Sequence, residues 1–393
     1  MFEQDGARRG TITAHDYAAP EAFQGELATM FRTSWQFFAL RSSLRRPGDQ
    51  VALPIAGIPV VVRNEGGRLV AFVNICAHRH SLVAKPGQSH APVLRCPYHG
   101  WEYDDAGRLC RLPDGPSFRG LPAREVGLRA LRVACLGELV FVSLLEEGPA
   151  LLDELGEYAE EVRQHFGDHR VMRTWTSEHE VNWKIIAENA VESYHVPCVH
   201  PTTFREFRAP ELHDHTIHPH YTRYLDLKPW EHDVVGYGVK LLSWLFLGQR
   251  DPRRFTQAHL FPGILLYYNA LVATLIVLEP LSETRTRHIA ISLVPRRIRG
   301  GALLRPLQWL FAQVFTRLGE RVLREDMRLW PSLQQGAAAA ERAAWLGSRE
   351  ERVTAFHHWV SERRATSTKS RSTGRRDAAE LLRLVELPKS EQA

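Results

Sequence analysis

Cysteine is scarce in this chain. Five among 393 residues, an odd number, exclude a disulfide framework and lead us to expect a reducing, cytoplasmic setting. The opening MFEQDGARRGTITAHDY has no apolar stretch of the secretory kind. Long hydrophobic runs are missing as well. The longest stretch without a formal charge, residues 255–278, is interrupted by Pro262, Asn269 and Thr274, and its VATLIVL run reads as buried strand, so no membrane span is expected. Charge of one sign is barely in excess, at +5 over the whole chain. Much of it sits in Arg363-Arg364, Lys369, Arg371 and Arg375-Arg376 among Ser, Thr and Gly, which reads as a flexible basic tail over 363–393. A basic folded surface with stacking aromatics is not apparent, so nucleic-acid binding is excluded. Internal repeats and Gly-rich dinucleotide fingerprints are also lacking, so a reductase would have to be a separate chain.

What is present suits a two-domain globular protein, with 44% hydrophobic and 24% charged residues. Residues 1–37 form an N-terminal segment whose helical signal, EAFQGELATMFRTSWQFFAL, opens the stretch 21–45. Residues 38–148 are rich in short strands separated by Pro and Gly turns, and EYDDAGRLCRL resembles a hairpin with Ala106-Gly107 at its tip. Helical signal returns at Leu151, which puts a boundary near 148. Residues 149–362 mix strands (171–184, 259–295) with helices (about 184–197 and 303–334). The expected fold is α+β: an all-β N-terminal domain and a second domain with an antiparallel sheet flanked by helices.

Two of the five cysteines lie in CAHRHSLVAKPGQSHAPVLRCPYHGW, where Cys76-x-His78 and Cys96-x2-His99 are separated by seventeen residues. Two loops each offering one thiolate and one imidazole fit a Rieske-type [2Fe–2S] centre, with Cys76 and Cys96 on one iron and His78 and His99 on the other. A Cys2His2 zinc site is the rival, although zinc fingers usually take both cysteines from one loop and both histidines from a helix.

In NWKIIAENAVESYHVPCVHP, His195 and His200 lie near the end of an expected helix that Pro197 should terminate, so both can turn toward one pocket. A carboxylate would complete a 2-His-1-carboxylate triad for Fe(II). Asp326 qualifies, because it falls on the helical face marked by Phe315, Leu318, Val322, Trp330 and Leu333. A carboxylate turned inward there must be paired, hydrogen-bonded or bound to metal.

With CPYHGW, NWK, Glu188-Asn189, H-x4-H and Glu325-Asp326 in hand, the chain resembles the Rieske non-haem iron oxygenases, the alpha-subunit family of aromatic-ring-hydroxylating dioxygenases, over about residues 25–340. The resemblance implies one [2Fe–2S] cluster and one mononuclear Fe(II) per chain, the latter on His195, His200 and Asp326. It implies a terminal oxygenase acting on a small organic substrate with O2, as a homotrimer, with NAD(P)H electrons arriving through a ferredoxin or flavin reductase. Glu192, three before the first histidine, would accept hydrogen bonds from His195 and from His99 of a neighbouring chain, with Asn189 beside it. Most members have Asp there, and Glu resembles a subset acting on quaternary amines. Trp101 would shield the cluster and Gly100 would allow close backbone approach. Two departures stand out: His80 replaces the usual Gly, and Pro331 replaces a common Glu. Hydroxylation, demethylation, oxidative cyclisation and desaturation all remain open, as does a bare electron-transfer protein.

Other features have plainer readings. Cys110 and Cys135 are expected as core thiols and Cys198 as a buried bystander. HDHTIHPH (His213, His215, His218, His220) reads as a solvated polar loop, and His80 as a solvated histidine. Trp230, Tyr237, Trp244, Tyr267 and Tyr268 are expected to pack in the core or to line an aromatic cage, and LLSWLFLG to flank a pocket entrance.

Overall fold

The computed structural model describes residues 4–122, 125–201, 210–227, 234–250 and 255–372. β-branched and aromatic runs punctuated by Gly and Pro build a first sheet of seven antiparallel strands. Their spatial order is Gln36–Leu40, Leu139–Ser143, Ala130–Leu136, Arg68–Val73, Ile58–Glu65, Asp49–Ile55 and Gly87–His90. A small sheet of Leu94–Arg95, Glu102–Tyr103 and Leu109–Arg111 leans on it, and the expected hairpin lies between its last two strands. The turn of that hairpin needs glycine at one position: Gly107 has φ +79°, and a Cβ there would meet Phe72 and the Leu128 carbonyl.

The second sheet is also seven-stranded and antiparallel, ordered His169–His179, Arg285–Pro295, Ala273–Ser282, Ile264–Tyr268, Thr256–Leu260, Tyr221–Asp226 and His213–His218. Helices Trp183–Val191, Trp330–Ala339 and Glu351–Ser372 share a core with this sheet: Trp183, Ile186 and Val191 meet Leu265 and Leu278, with Trp330, Phe356 and Val360 closing over them. The architecture is α+β, as expected. A second core joins Leu139 and Phe141 of the first sheet, with Trp35 just before it, to Leu266 and Leu293 of the second, and Tyr158 of helix Tyr158–His165 packs among them. Apolar side chains on facing sheets leave water together, so the two halves share one interior.

Several local expectations change. The helical opening ends at Phe31, and SWQFFAL supplies the strand Gln36–Leu40 instead. The N-terminal segment packs into the core of the second sheet's helices: Arg8–Arg9 pairs with Trp345–Leu346, Ile12, Met30 and Phe31 are buried, and the Phe31 ring stands 5.0 Å from that of Trp183. The helix expected over 184–197 stops at Val191, because Glu192 is extended (φ −113°, ψ 168°) and its carboxylate accepts the Tyr194 and His195 backbone N–H groups. Those donors are then lost to helix propagation. Pro197 therefore opens the next short helix, Val196–Val199, where its missing N–H costs nothing, and does not terminate the previous one. The helix expected over 303–334 is two, Arg305–Met327 and Trp330–Ala339, with Pro331 in the first turn of the second. Cys110 and Cys198 are exposed rather than buried.

HDHTIH is the edge strand His213–His218 and not a loop; His213 is buried on it, and the His215 side chain, 4% exposed, is bonded to Glu351 at 2.7 Å. Tyr267 and Tyr268 pack inside or nearly so, whereas Tyr237 and Trp244 are half exposed on helix Val234–Leu247. Trp230 lies outside the described residues. The basic segment begins inside a helix that continues to Ser372, and Arg364 pairs with the buried Asp16 carboxylate. Residues 373–393 lie outside the described part. No helix among the described residues is long and apolar enough to cross a membrane.

Candidate metal centres

The first constellation sits on two tight loops of matching form. In one, Cys76 N–H bonds the Ser81 carbonyl at 2.8 Å and His80 N–H bonds the Cys76 carbonyl at 3.0 Å. In the other, Cys96 N–H bonds the Trp101 carbonyl at 2.8 Å and Gly100 N–H bonds the Cys96 carbonyl at 3.0 Å. Each loop thus turns four residues after its cysteine, and both turning residues have positive φ: His80 at 58° and Gly100 at 73°. His80 is exposed, and histidine is among the non-glycine residues that tolerate this region. Its place in the turn explains why glycine suits the position.

Cys76 and Cys96 are buried, and the rings of His78 and His99 approach to 4.5 Å between centroids. Trp101, itself buried, stacks on His78 at 4.8 Å and 7°. Tyr103 Oη lies 3.1 Å from Cys76 Sγ and accepts the Ala77 N–H at 3.1 Å. Burial, and next to it the Tyr103 hydroxyl, hold this pair in tension: the Cys76 thiol is raised by burial, and the hydrogen bond from Tyr103 only partly offsets that. Burial and the neighbouring His99 keep the His78 imidazole below its ordinary range. His78 Nδ1 is buried with no hydrogen-bond partner. A buried ring nitrogen without a partner, on a loop that also carries a buried cysteine, is what a bound cluster would require, so these residues fit the group. His99 and Tyr98 lie on the surface.

The second constellation is assembled from three elements. Asn182 caps the helix Trp183–Val191 by accepting the Lys184 N–H at 2.9 Å. That cap is itself held by Gln334, which accepts the Asn182 N–H at 2.7 Å. Beneath it, Glu26 accepts from Trp183 Nε1 at 2.8 Å and from Lys184 Nζ at 2.6 Å, a pair with side-chain exposures of 1% and 0%. Past Val191 the chain turns through Glu192 and presents His195 and His200. Asp326, near the end of helix Arg305–Met327, meets them. Its own helical face is less apolar than expected, since Leu318 and Leu333 are exposed, yet Asp326 still points inward at 13% exposure.

One ligand atom each from His195, His200 and Asp326 can be chosen so that all lie within 4.8 Å of one another. Asp326 Oδ1 is 3.4 Å from His195 Nε2 and 3.1 Å from His200 Nε2, yet it is buried with no aligned hydrogen bond. The outer nitrogens are both occupied by carboxylates: His195 Nδ1 by Glu192 and His200 Nδ1 by Glu325 at 2.8 Å. An ionised carboxylate only accepts, so each Nδ1 carries the proton and each Nε2 turns a lone pair toward Asp326. Three donors aimed at one point fit a divalent metal. Burial works against protonation of His200, but Asp326 and Glu325 outweigh it and raise its affinity for a proton.

Behind this centre, Asn189 accepts the Trp330 indole N–H at 3.1 Å, tying the two helices together. Glu188 takes the Tyr17 hydroxyl at 2.7 Å and His357 Nε2 at 3.2 Å. Glu325, Tyr17 and His357 were not singled out as site residues from sequence. For Glu325 a signal existed, its place next to Asp326; for the other two there was none, since their partners lie 171 and 169 residues away.

The family described as "Ring hydroxylating alpha subunit (catalytic domain)" matches residues 166–366, just over half of the chain, and the Rieske [2Fe-2S] domain family matches 34–124. The chain belongs to the ring-hydroxylating alpha-subunit family. Within that family it is 34% identical over 192 residues to the chloroplastic choline monooxygenase of Spinacia oleracea, covering 47% of this chain and 44% of that one. It is 28% identical over 211 residues to the carnitine monooxygenase oxygenase subunit of Acinetobacter pittii, covering 52% and 56%. The matched part thus spans about half the length of these curated relatives. In fold it is similar to the quaternary ammonium Rieske monooxygenase CntA solved with L-carnitine, at TM-score 0.71 and 21% identity, over 90% of this chain and 96% of that one.

Proposed function

We propose that the chain is the terminal oxygenase of a multicomponent Rieske system, using O2 and reductase-supplied electrons to hydroxylate or oxidatively demethylate an organic substrate. In this reading Cys76, His78, Cys96 and His99 hold a [2Fe–2S] cluster, and His195, His200 and Asp326 hold Fe(II). The observation that carries it is the convergence of two Nε2 atoms and an unbonded Asp326 oxygen, each histidine being backed by its own carboxylate. When bound, the cluster supplies one-electron transfer and the mononuclear iron supplies O2 activation.

The chain's own residues do the positioning. Glu192 and Glu325 hold the imidazoles in the tautomer that points Nε2 inward, and the Asn189–Trp330 bond ties together the two helices that flank the ligands, Trp183–Val191 and Trp330–Ala339. Trp101 covers one face of the His78 ring. His99, being exposed, is suited to pass electrons to Glu192 of an adjacent subunit in a homotrimer, and a ferredoxin or flavin reductase is the proposed donor. Five free thiols suit a reducing, cytoplasmic setting. A quaternary ammonium substrate is favoured by Glu192 standing where most members carry Asp, and by the similarity to choline and carnitine monooxygenases.

Oxygen uptake with a surrogate reductase tests this, comparing quaternary amines, aromatics and larger apolar metabolites. Purified protein is expected to hold about three irons per two sulfides, against two for a bare electron carrier. His195→Ala is expected to abolish turnover while leaving the cluster spectrum intact; full activity in that variant would refute the reading. Product analysis separates hydroxylation and demethylation from cyclisation or desaturation.

A further inference from the structure

Beside the second centre, an arginine-rich row lies on helix Arg305–Met327 and the residue after it. Arg317, Arg321, Arg324 and Arg328 are spaced four, three and four apart, which sets them along one side. With Arg173 from the strand His169–His179 they line a cleft of about 540 Å³. Two carboxylates share it. Glu320 is engaged by Arg173 at 2.7 Å, and Glu325 stands 3.8 Å from Arg321. Arg317, Arg324 and Arg328 are exposed and have no carboxylate within ion-pair distance among the described residues. The helix dipole favours cations only within the last turn, so it gives no reason for Arg317. Like charges at this spacing repel, so the row is a cost to the helix unless something negative joins it.

We propose that the cleft binds a multivalent small anion through carboxylate or phosphate oxygens, and that Glu325 conveys its occupancy to His200. Guanidinium forks match planar and tetrahedral oxyanions in bidentate fashion, and the cleft has the volume of a small-molecule site. Glu325 faces both ways: Oε1 lies toward Arg321, and Oε2 accepts from His200 Nδ1 at 2.8 Å. An oxyanion seated on Arg321 competes with Glu325 for that guanidinium. More of the Glu325 charge then falls on the bond to His200, which strengthens Nε2 as a ligand. Anion binding stands without the oxygenase reading; the coupling to the metal rests on it.

The test is calorimetric titration of the full chain with inorganic phosphate and with citrate, against sodium chloride at matched ionic strength. Saturable binding at one site per chain is expected, and the stronger of the two probes identifies the oxyanion class. Affinity should fall at least tenfold in Arg317→Ala/Arg324→Ala and a few-fold in Arg324→Lys, which keeps the charge and loses the fork. It should be unchanged in Arg297→Ala, an arginine at 92% exposure outside the cleft. No saturable heat, an equal response to chloride, or unchanged binding in the double variant overturns the site. For the coupling, release of Fe(II) to a chelator should slow several-fold with the bound anion in the unmodified protein and not respond in Glu325→Gln. Anion binding that leaves Fe(II) release unaltered overturns the coupling alone.

Discussion

Replacing Glu26 by Gln should expose how firmly the helix that leads into His195 and His200 is anchored. Glu26 and Lys184 form an ion pair at 2.6 Å with essentially no solvent contact, and Glu26 also accepts the Trp183 indole N–H. Burial pulls the Lys184 ammonium toward neutrality, and Glu26 pulls it back. Without that carboxylate the lysine must either stay charged and unpaired or shed its proton. The first route costs about 3–5 kcal/mol. The second, at pH 7, costs about 4.6 kcal/mol for a lysine of ordinary pKa near 10.4, at about 1.4 kcal/mol per pH unit. Both routes give the same order. The second carries a signature: the variant's folded state binds one proton fewer than its unfolded state, so its stability rises with pH. The loss should shrink from about 4.6 kcal/mol at pH 7 to about 2 kcal/mol at pH 9. Urea unfolding followed by tryptophan fluorescence at the two pH values measures it, and Lys184→Met in the same background should recover most of the deficit. A loss below about 1 kcal/mol, or no recovery in the double variant, would refute the buried-pair reasoning.

His80→Gly should raise stability by about 1 kcal/mol by relieving a left-handed backbone position, with an unchanged cluster spectrum; a destabilised variant would show that the imidazole has a role of its own. Glu325→Gln should weaken metal retention at the histidine–aspartate centre by about 10- to 100-fold, measured by metal titration of the stripped protein, and an unchanged affinity would remove Glu325 from the site. Burial lowers His169 and His288 to about 4 and His259 to about 3, so their contribution to stability is complete above the unfolded value near 6.5 and is lost as pH falls toward 4. Together they should steepen acid unfolding by about 4 kcal/mol per pH unit in that window, visible in urea midpoints; flat stability from pH 6.5 to 5 would count against it, and His259→Gln should remove about a third of the slope.

Much of the candidate site was legible because its ligands come from short, local patterns. Cys76-x-His78 and Cys96-x2-His99 need only two tight turns to converge, and turn geometry is set by the residues within it. His195 and His200 likewise share one short stretch. The alternation of strands and turns, and the change to helix near Leu151, were readable for the same reason. What sequence spacing alone misplaced was the path between ligands: Glu192 diverts backbone donors to its own carboxylate, so the helix stops early and Pro197 starts a new one.

Tertiary structure decided which side of each group faces what. Glu325 and Asp326 are adjacent on one helix and point in different directions, one backing His200 and the other facing both Nε2 atoms. Their division of work follows from where that helix docks, and from a partner 125 residues away. The same holds for His213 and His215, polar by composition but buried because their strand closes the second sheet against helix Glu351–Ser372. Covalent spacing determines local reach, within a turn or two. Burial against distant segments determines orientation, and orientation separates a ligand from the residue that merely steadies it.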